Sequence, residues 1–255
     1  MLRFCAMFRR IQSRWCLLGS VLFGLGCSSP KPIPGVVRPE PGAGPLESLP
    51  PMMDFGPFDD SSDALSAACS LILSKPNASV GHIKDPELAP RVSTEYCAWM
   101  YYTTDDKYRM RMLTDQSDAD DLQKKKRTCK LPSFVDDQRY PPWSIKYIFA
   151  LHNHPFGGPL SLSDMRKIIS LANVHEWVVE TKDGTVPIAI IAFFSRADRE
   201  RPTCDGFYQY TPEARTLQEF IKTRDGWLRK DIGTVTWINP TTYRLDDETY
   251  HVEGK

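Results

Sequence analysis

The sequence predicts an α/β (α+β) domain in which a mixed β-sheet is flanked by helices. Three observations carry this. Short runs rich in aromatic and β-branched residues, such as Thr94–Tyr102, Ile145–Leu151 and Val186–Phe194, suit buried strands. Between them lie stretches with helical apolar spacing and polar starts. The chain has 255 residues, 41% hydrophobic, enough for one sizeable core, and no internal repeat is visible.

Taken in order, Asp60-Asp-Ser-Ser-Asp63 is an N-cap cluster for a helix running to about Ser74, with Pro76 as its stop. Thr94–Tyr102 and Tyr108–Leu113 read as a hairpin turned at Asp105-Asp106. Residues 114–143 are polar and proline-rich, a solvated loop whose Lys124–Arg127 run is offset by Asp118, Asp120 and Asp121. Ile145–Leu151 is a buried strand. Ser161 or Ser163 opens a helix to about Val174, on which Met165, Ile168, Ile169 and Ala172 recur at helical spacing. Glu176–Lys182 and Val186–Phe194, joined at Asp183-Gly184, form a second hairpin whose apolar last strand belongs at the sheet centre. Pro212–Arg224 reads as a further helix and Gly233–Ile238 as a final strand.

The ends read differently. Arg3, Arg9, Arg10 and Arg14 precede an apolar run, Trp15–Gly26, too short to span ~30 Å of hydrocarbon. Residues 1–26 therefore read as a secretory signal. Gly24-Leu25-Gly26-Cys27 is similar to a bacterial lipobox, which implies cleavage before Cys27 and its lipidation. Residues 27–57, with nine prolines, read as an extended tether between a membrane anchor and a domain at 58–255. The expected location is the cell envelope, on an outer- or inner-membrane lipoprotein facing the periplasm or surface. Cys69, Cys97, Cys129 and Cys204 would then allow two disulfides in any of three pairings, and none has zinc-knuckle spacing. The 32 basic and 32 acidic residues balance, which argues against a nucleic-acid partner.

The stretch that carries chemistry is Leu151–Met165, LHNHPFGGPLSLSDM. At i and i+2 of a strand end, His152 and His154 leave the same face about 6.5–7 Å apart at the backbone. Pro155, Gly157, Gly158 and Pro159 turn the chain, and Asp164 falls in the first turn of the next helix. Two imidazoles and a carboxylate with one place left open match a catalytic zinc set. Ser161-x-x-Asp164 also fits a capping box that needs no metal.

His152-Asn153-His154-Pro155 followed by Ser161-x-x-Asp164 resembles the signature of the JAB/MPN (JAMM) zinc metalloproteases, and HNHPFGGP is especially similar to the RadC-like bacterial branch. The resemblance spans roughly residues 58 to 200. It implies a cytidine-deaminase-like mixed sheet, zinc held by His152, His154 and Asp164, an oxyanion contact from Ser161, and a water-activating glutamate on an earlier strand. Glu95, at the opening of the first strand, best matches that glutamate. Cys97 shares its face and reads as a disulfide partner or a packed thiol, with a fourth ligand as the alternative. The loop from His154 to Ser161 is one residue shorter than the common pattern, so the reach of Asp164 is a structural question.

The function expected is thus a lipid-anchored zinc metallopeptidase acting on a peptide or isopeptide bond. A non-catalytic JAB-like binding module of the envelope and a secreted effector-type hydrolase are the alternatives. Protein or peptide substrates, a membrane reached through the anchor, and no nucleic acid are the expected partners.

Overall fold

In the computed structural model, strand β7 (Lys146–Asn153) and strand β10 (Ala189–Phe194) run parallel at the middle of a ten-stranded mixed sheet. The structure describes residues 31–40, 42–117, 128–197 and 200–246. The signal segment, Cys27 and Lys124–Arg127 lie outside them. No helix among the described residues is long and apolar enough to cross a membrane.

The first strands lie on one side of this centre. Strand β3 (Cys97–Thr103) pairs antiparallel with β7 and with β4 (Lys107–Met110), turning at Asp105-Asp106 as expected, and β5 (Leu113–Thr114) continues the edge. On the other side, β11 (Gly206–Thr211), β12 (Thr216–Thr223), β13 (Gly226–Asn239) and β14 (Thr242–Asp246) follow as an antiparallel meander.

Each face of the sheet carries a helix. Helix α1 (Ser61–Leu73) starts at Asp60, whose carboxylate accepts the N–H groups of Ser62 and Asp63 at 2.7 and 3.1 Å. It buries Leu65, Ala68, Ile72 and Leu73 against Ala98, Met100, Ile191 and Phe193. A short helix α2 (Leu88–Val92) follows. Helix α3 (Leu162–His175) covers the opposite face, where Met165, Ile168, Leu171 and Ala172 meet Trp99, Ala150, Ile190 and Ala192. Alternation along β3 sends Cys97, Trp99 and Tyr101 to the α3 side and Ala98, Met100 and Tyr102 to the α1 side. The expected class, a mixed sheet with helices on its faces, is present, and the proportion of strand is higher than expected.

Three expectations need correction. Pro212–Arg224 is not helical: Thr216–Thr223 is strand β12, bonded on both sides, and Arg215 turns the chain at φ +57°. The expected strand Val186–Phe194 divides at Ile188. Gly184–Pro187 (β9) pairs with Val178–Thr181 (β8) in a separate ribbon, and only Ala189–Phe194 enters the main sheet, buried at every residue. The proline-rich tether does not stand off the domain from Ile33 onward, because its scattered apolar residues find burial. Leu49 and Phe55 are buried, Ile33, Val36 and Met52 pack on the α1-side core, and Val36–Val37 (β1) pairs with β5. Ser48–Leu49 (β2) pairs in turn with Phe134–Val135 (β6), so the following "loop" is also partly pinned.

Two disulfides settle the pairing. Cys69–Cys204 links α1 to the segment entering β11, and Cys97–Cys129 links the start of β3 to the segment after the expected basic loop. Cys97 is therefore a bridge partner, not a thiolate ligand.

Candidate metal centre

The main sheet positions the first ligand. His152 is the seventh residue of β7, paired through the sheet with Cys97 of β3 and Ala192 of β10. Hydrogen bonding on both sides fixes its backbone, and its ring is turned to the α3 face and buried. His154 follows just past the strand, its N–H donated to the Phe193 carbonyl at 2.9 Å. The two Nε2 atoms lie 3.0 Å apart, an approach that i, i+2 spacing allows.

The chain then turns through Pro155–Leu160, where Gly157 takes φ +70°, a conformation glycine adopts without strain. Gly157 N–H closes the turn on the His154 carbonyl, and His154 Nδ1–H donates to the Gly158 carbonyl at 2.7 Å. That bond commits the Nδ1 proton, leaving the Nε2 lone pair toward the site.

Ser161 is the N-cap of α3. Its Oγ accepts the Asp164 N–H at 3.2 Å, and Asp164 Oδ2 accepts the Ser161 N–H at 2.8 Å, a reciprocal capping box. The same carboxylate faces both imidazoles: Oδ2 is 3.3 Å from His154 Nε2, and Oδ1 is 3.7 Å from His152 Nε2. The three ligand atoms lie within 4.8 Å of one another. The shortened loop thus brings Asp164 to the histidines. The group His152, His154 and Asp164 can hold a metal ion.

Electrostatics agree with the geometry. Burial lowers the His152 pKa, with Asp164 opposing. Burial also acts on His154, but Asp164, the Gly158 carbonyl and the charge of Glu95 outweigh it and raise its pKa. Burial works against the charged form of Asp164, yet the two imidazoles hold its carboxyl well below the usual carboxylate range.

A cleft of about 200 Å³ opens beside the triad, lined by Glu95, Cys97, Cys129, Lys130, His152, Asp164 and others. Glu95 is half-buried and lies two residues ahead of β3, outside the strand it was expected to open, and it lines the cleft together with Cys97 and His152. Ser163 lines the cleft, together with Lys167 one turn on, whereas Ser161 is exposed and is not among the lining residues. Ser161 uses only an oxygen lone pair in its cap, so its hydroxyl proton is not committed by that bond.

Sequence reading left Asn153 unassigned. Its side chain is fully buried on the far side of β7 from His152, where it accepts the Tyr96 N–H at 2.7 Å and donates to the carbonyls of Ala78 and Thr94 at 2.6 and 3.0 Å. His175, outside the site, stacks on Tyr147 at 3.8 Å.

No family model, curated protein or solved structure matches this chain.

Proposed function

We propose that this chain is a metal-dependent hydrolase of the JAB/MPN (JAMM) type, a zinc metallopeptidase of the bacterial cell envelope anchored through Cys27. One observation carries the reading: two imidazoles and a carboxylate converge at the end of a central strand, beside a cleft that also receives a glutamate.

The donor set fits zinc. Bonds of about 2.0–2.1 Å in a tetrahedron put neighbouring ligand atoms about 3.3 Å apart; the two Nε2 atoms are 3.0 Å apart, Asp164 Oδ2 is 3.3 Å from His154, and its other oxygen, Oδ1, is 3.7 Å from His152. With a fixed His154 tautomer and a carboxylate locked by a helix cap, the ligands are preorganised. Zinc bound there would polarise a substrate carbonyl and lower the pKa of a bound water from 15.7 to about 7.

The chain's own groups supply the remaining steps. Glu95 takes the proton of the attacking water and returns it to the leaving amine. The Ser161 hydroxyl donates a hydrogen bond to the oxyanion that develops on the carbonyl, keeping its proton. The substrate is a peptide or isopeptide, laid in the cleft walled by Cys129, Lys130 and Lys167.

The deciding experiment measures zinc in the purified domain and its hydrolysis of a fluorogenic peptide library. Zinc at about one equivalent, with turnover abolished in Glu95→Gln but metal retained, is the expected result. Absence of stoichiometric zinc would leave a binding module of the envelope. Fractionation of cells carrying Cys27→Ala tests the anchor, and undiminished membrane association would exclude lipidation as its cause.

A further inference from the structure

Regular pairing between β3 and β7 ends at Cys97 and His152. One step further, where Tyr96 would face Asn153, the ladder is replaced by a side chain. Asn153 Oδ1 accepts the Tyr96 N–H at 2.7 Å, and Nδ2 donates to the Thr94 carbonyl at 3.0 Å. These two groups flank Glu95 on both sides. The second Nδ2 proton goes to the Ala78 carbonyl at 2.6 Å, tying the grip to a third segment. That segment is held in turn, because Thr94 N–H donates to the Asn77 carbonyl and Val80 N–H to the Pro155 carbonyl, each at 3.0 Å. All four hydrogen-bonding positions of the amide need not be filled for rigidity; three short bonds in a water-free setting are enough to fix it.

The consequence follows from where Asn153 stands. Its backbone lies between the two histidines, so the same residue that separates His152 from His154 along the chain sets the position of the peptide on either side of Glu95. From these contacts we infer that Asn153 is a positioning residue, registering the Glu95 carboxylate against the His152–His154 pair. The inference rests on the hydrolase reading above. The histidines do not need Asn153 in the same way, since β7 pairs with β3 and β10 through backbone bonds.

The test is a double-mutant cycle on the cobalt-substituted protein, with Glu95→Gln, Asn153→Ala and their combination. The probe is acetohydroxamate, whose binding is followed by the visible cobalt absorption. Cobalt stoichiometry remains near one in every variant. Each single change weakens hydroxamate binding about tenfold, the size expected for a lost hydrogen bond to a charged group, and the double variant is no weaker than Glu95→Gln. Additive losses, about a hundredfold in the double variant, or an unchanged Asn153→Ala would overturn the inference. If Asn153→Ala does not fold, Asn153→Ser, with one hydrogen-bonding group and a smaller void, takes its place in the cycle. A wild-type protein that binds no cobalt removes the metal reading, and this inference with it, whereas cobalt binding with additive losses removes the inference alone.

Discussion

The Asp164 carboxylate accepts the backbone N–H of Ser161 at 2.8 Å while standing 3.3 Å from the Nε2 of His154. One side chain therefore closes a helix end and faces a candidate ligand pair. A capping box and a candidate metal site, which compete as explanations of Ser-x-x-Asp in a sequence, are compatible here because Oδ2 takes the Ser161 N–H with one lone pair and faces His154 with another, while Oδ1 faces His152.

These two roles separate by substitution. Ser161→Ala removes the N-cap acceptor and costs about 1 kcal/mol of folding stability, with metal stoichiometry retained. Asp164→Asn keeps an acceptor for Ser161 N–H but removes the charge, so zinc affinity falls by at least tenfold while the metal-free melting temperature moves little. Thermal unfolding with and without chelator, alongside zinc titration, checks both. Loss of zinc in Ser161→Ala together with retention in Asp164→Asn would assign the ligand wrongly.

The disulfides differ in the chain length they close, 32 residues of separation for Cys97–Cys129 and 135 for Cys69–Cys204. Loop-closure entropy gives on the order of 4 and 5 kcal/mol respectively. Paired Cys→Ser replacements, followed by denaturant unfolding, are expected to destabilise in that order. Cys97–Cys129 has a second effect, because both residues line the cleft. Its removal frees the Thr128–Leu131 wall, and amide exchange there accelerates while α1 stays protected.

Two carboxylates away from the centre contribute to acid sensitivity. Burial opposes the charged form of Asp137, but Arg139 and the Tyr101 hydroxyl, at 2.8 Å each from Oδ2, lower its pKa. Asp105 is held at about 2, where Thr103, Arg109 and Tyr140 outweigh burial. Folded values below the unfolded value of about 3.9 mean stability that is complete above that pH and lost as pH falls through the folded values. Asp137→Asn and Asp105→Asn should flatten the loss measured by unfolding between about pH 4 and 2. A limb as steep as that of the wild type in both variants would refute the assignment.

Arg111 is fully buried, and its Nε, Nη1 and Nη2 have no hydrogen-bond partner among the described residues. Burial pushes its pKa down to about 9, the mark of a charge placed in an apolar setting. Its backbone serves the fold, donating N–H to the Trp99 carbonyl at 3.1 Å. Replacement by Met, similar in length and uncharged, is expected to stabilise the protein by about 1–3 kcal/mol, read as a raised midpoint in urea. A drop of that size would show that the guanidinium has a partner this conformation does not reveal.

The strands and the candidate triad were readable because each has a local signature: residues 147–151 of β7 and all of β10 are unbroken apolar runs, and the histidines sit at the strand period. The β12 error has a physical cause. Leu217, Phe220 and Ile221 fall at helical spacing, and the alternation that would have announced a strand is broken by Glu219, buried and paired with Arg196. A charge in an inward position hides a strand from any pattern count. The tether misled in the opposite sense, since prolines marked it as extended while Leu49 and Phe55, isolated in sequence, gain burial only from partners far along the chain. Asn153 escaped notice because its meaning lies in Thr94 and Tyr96, nearly sixty residues upstream.

The placement of His152 between two hydrogen-bonded neighbours gives the triad one stiff side and one compliant one. The strand ligand cannot yield without tearing the sheet, whereas Asp164 is carried on a helix end reached through the glycine-containing turn after His154. A change of length or sequence among the six residues Pro155 to Leu160 would therefore shift Asp164 and leave His152 in place.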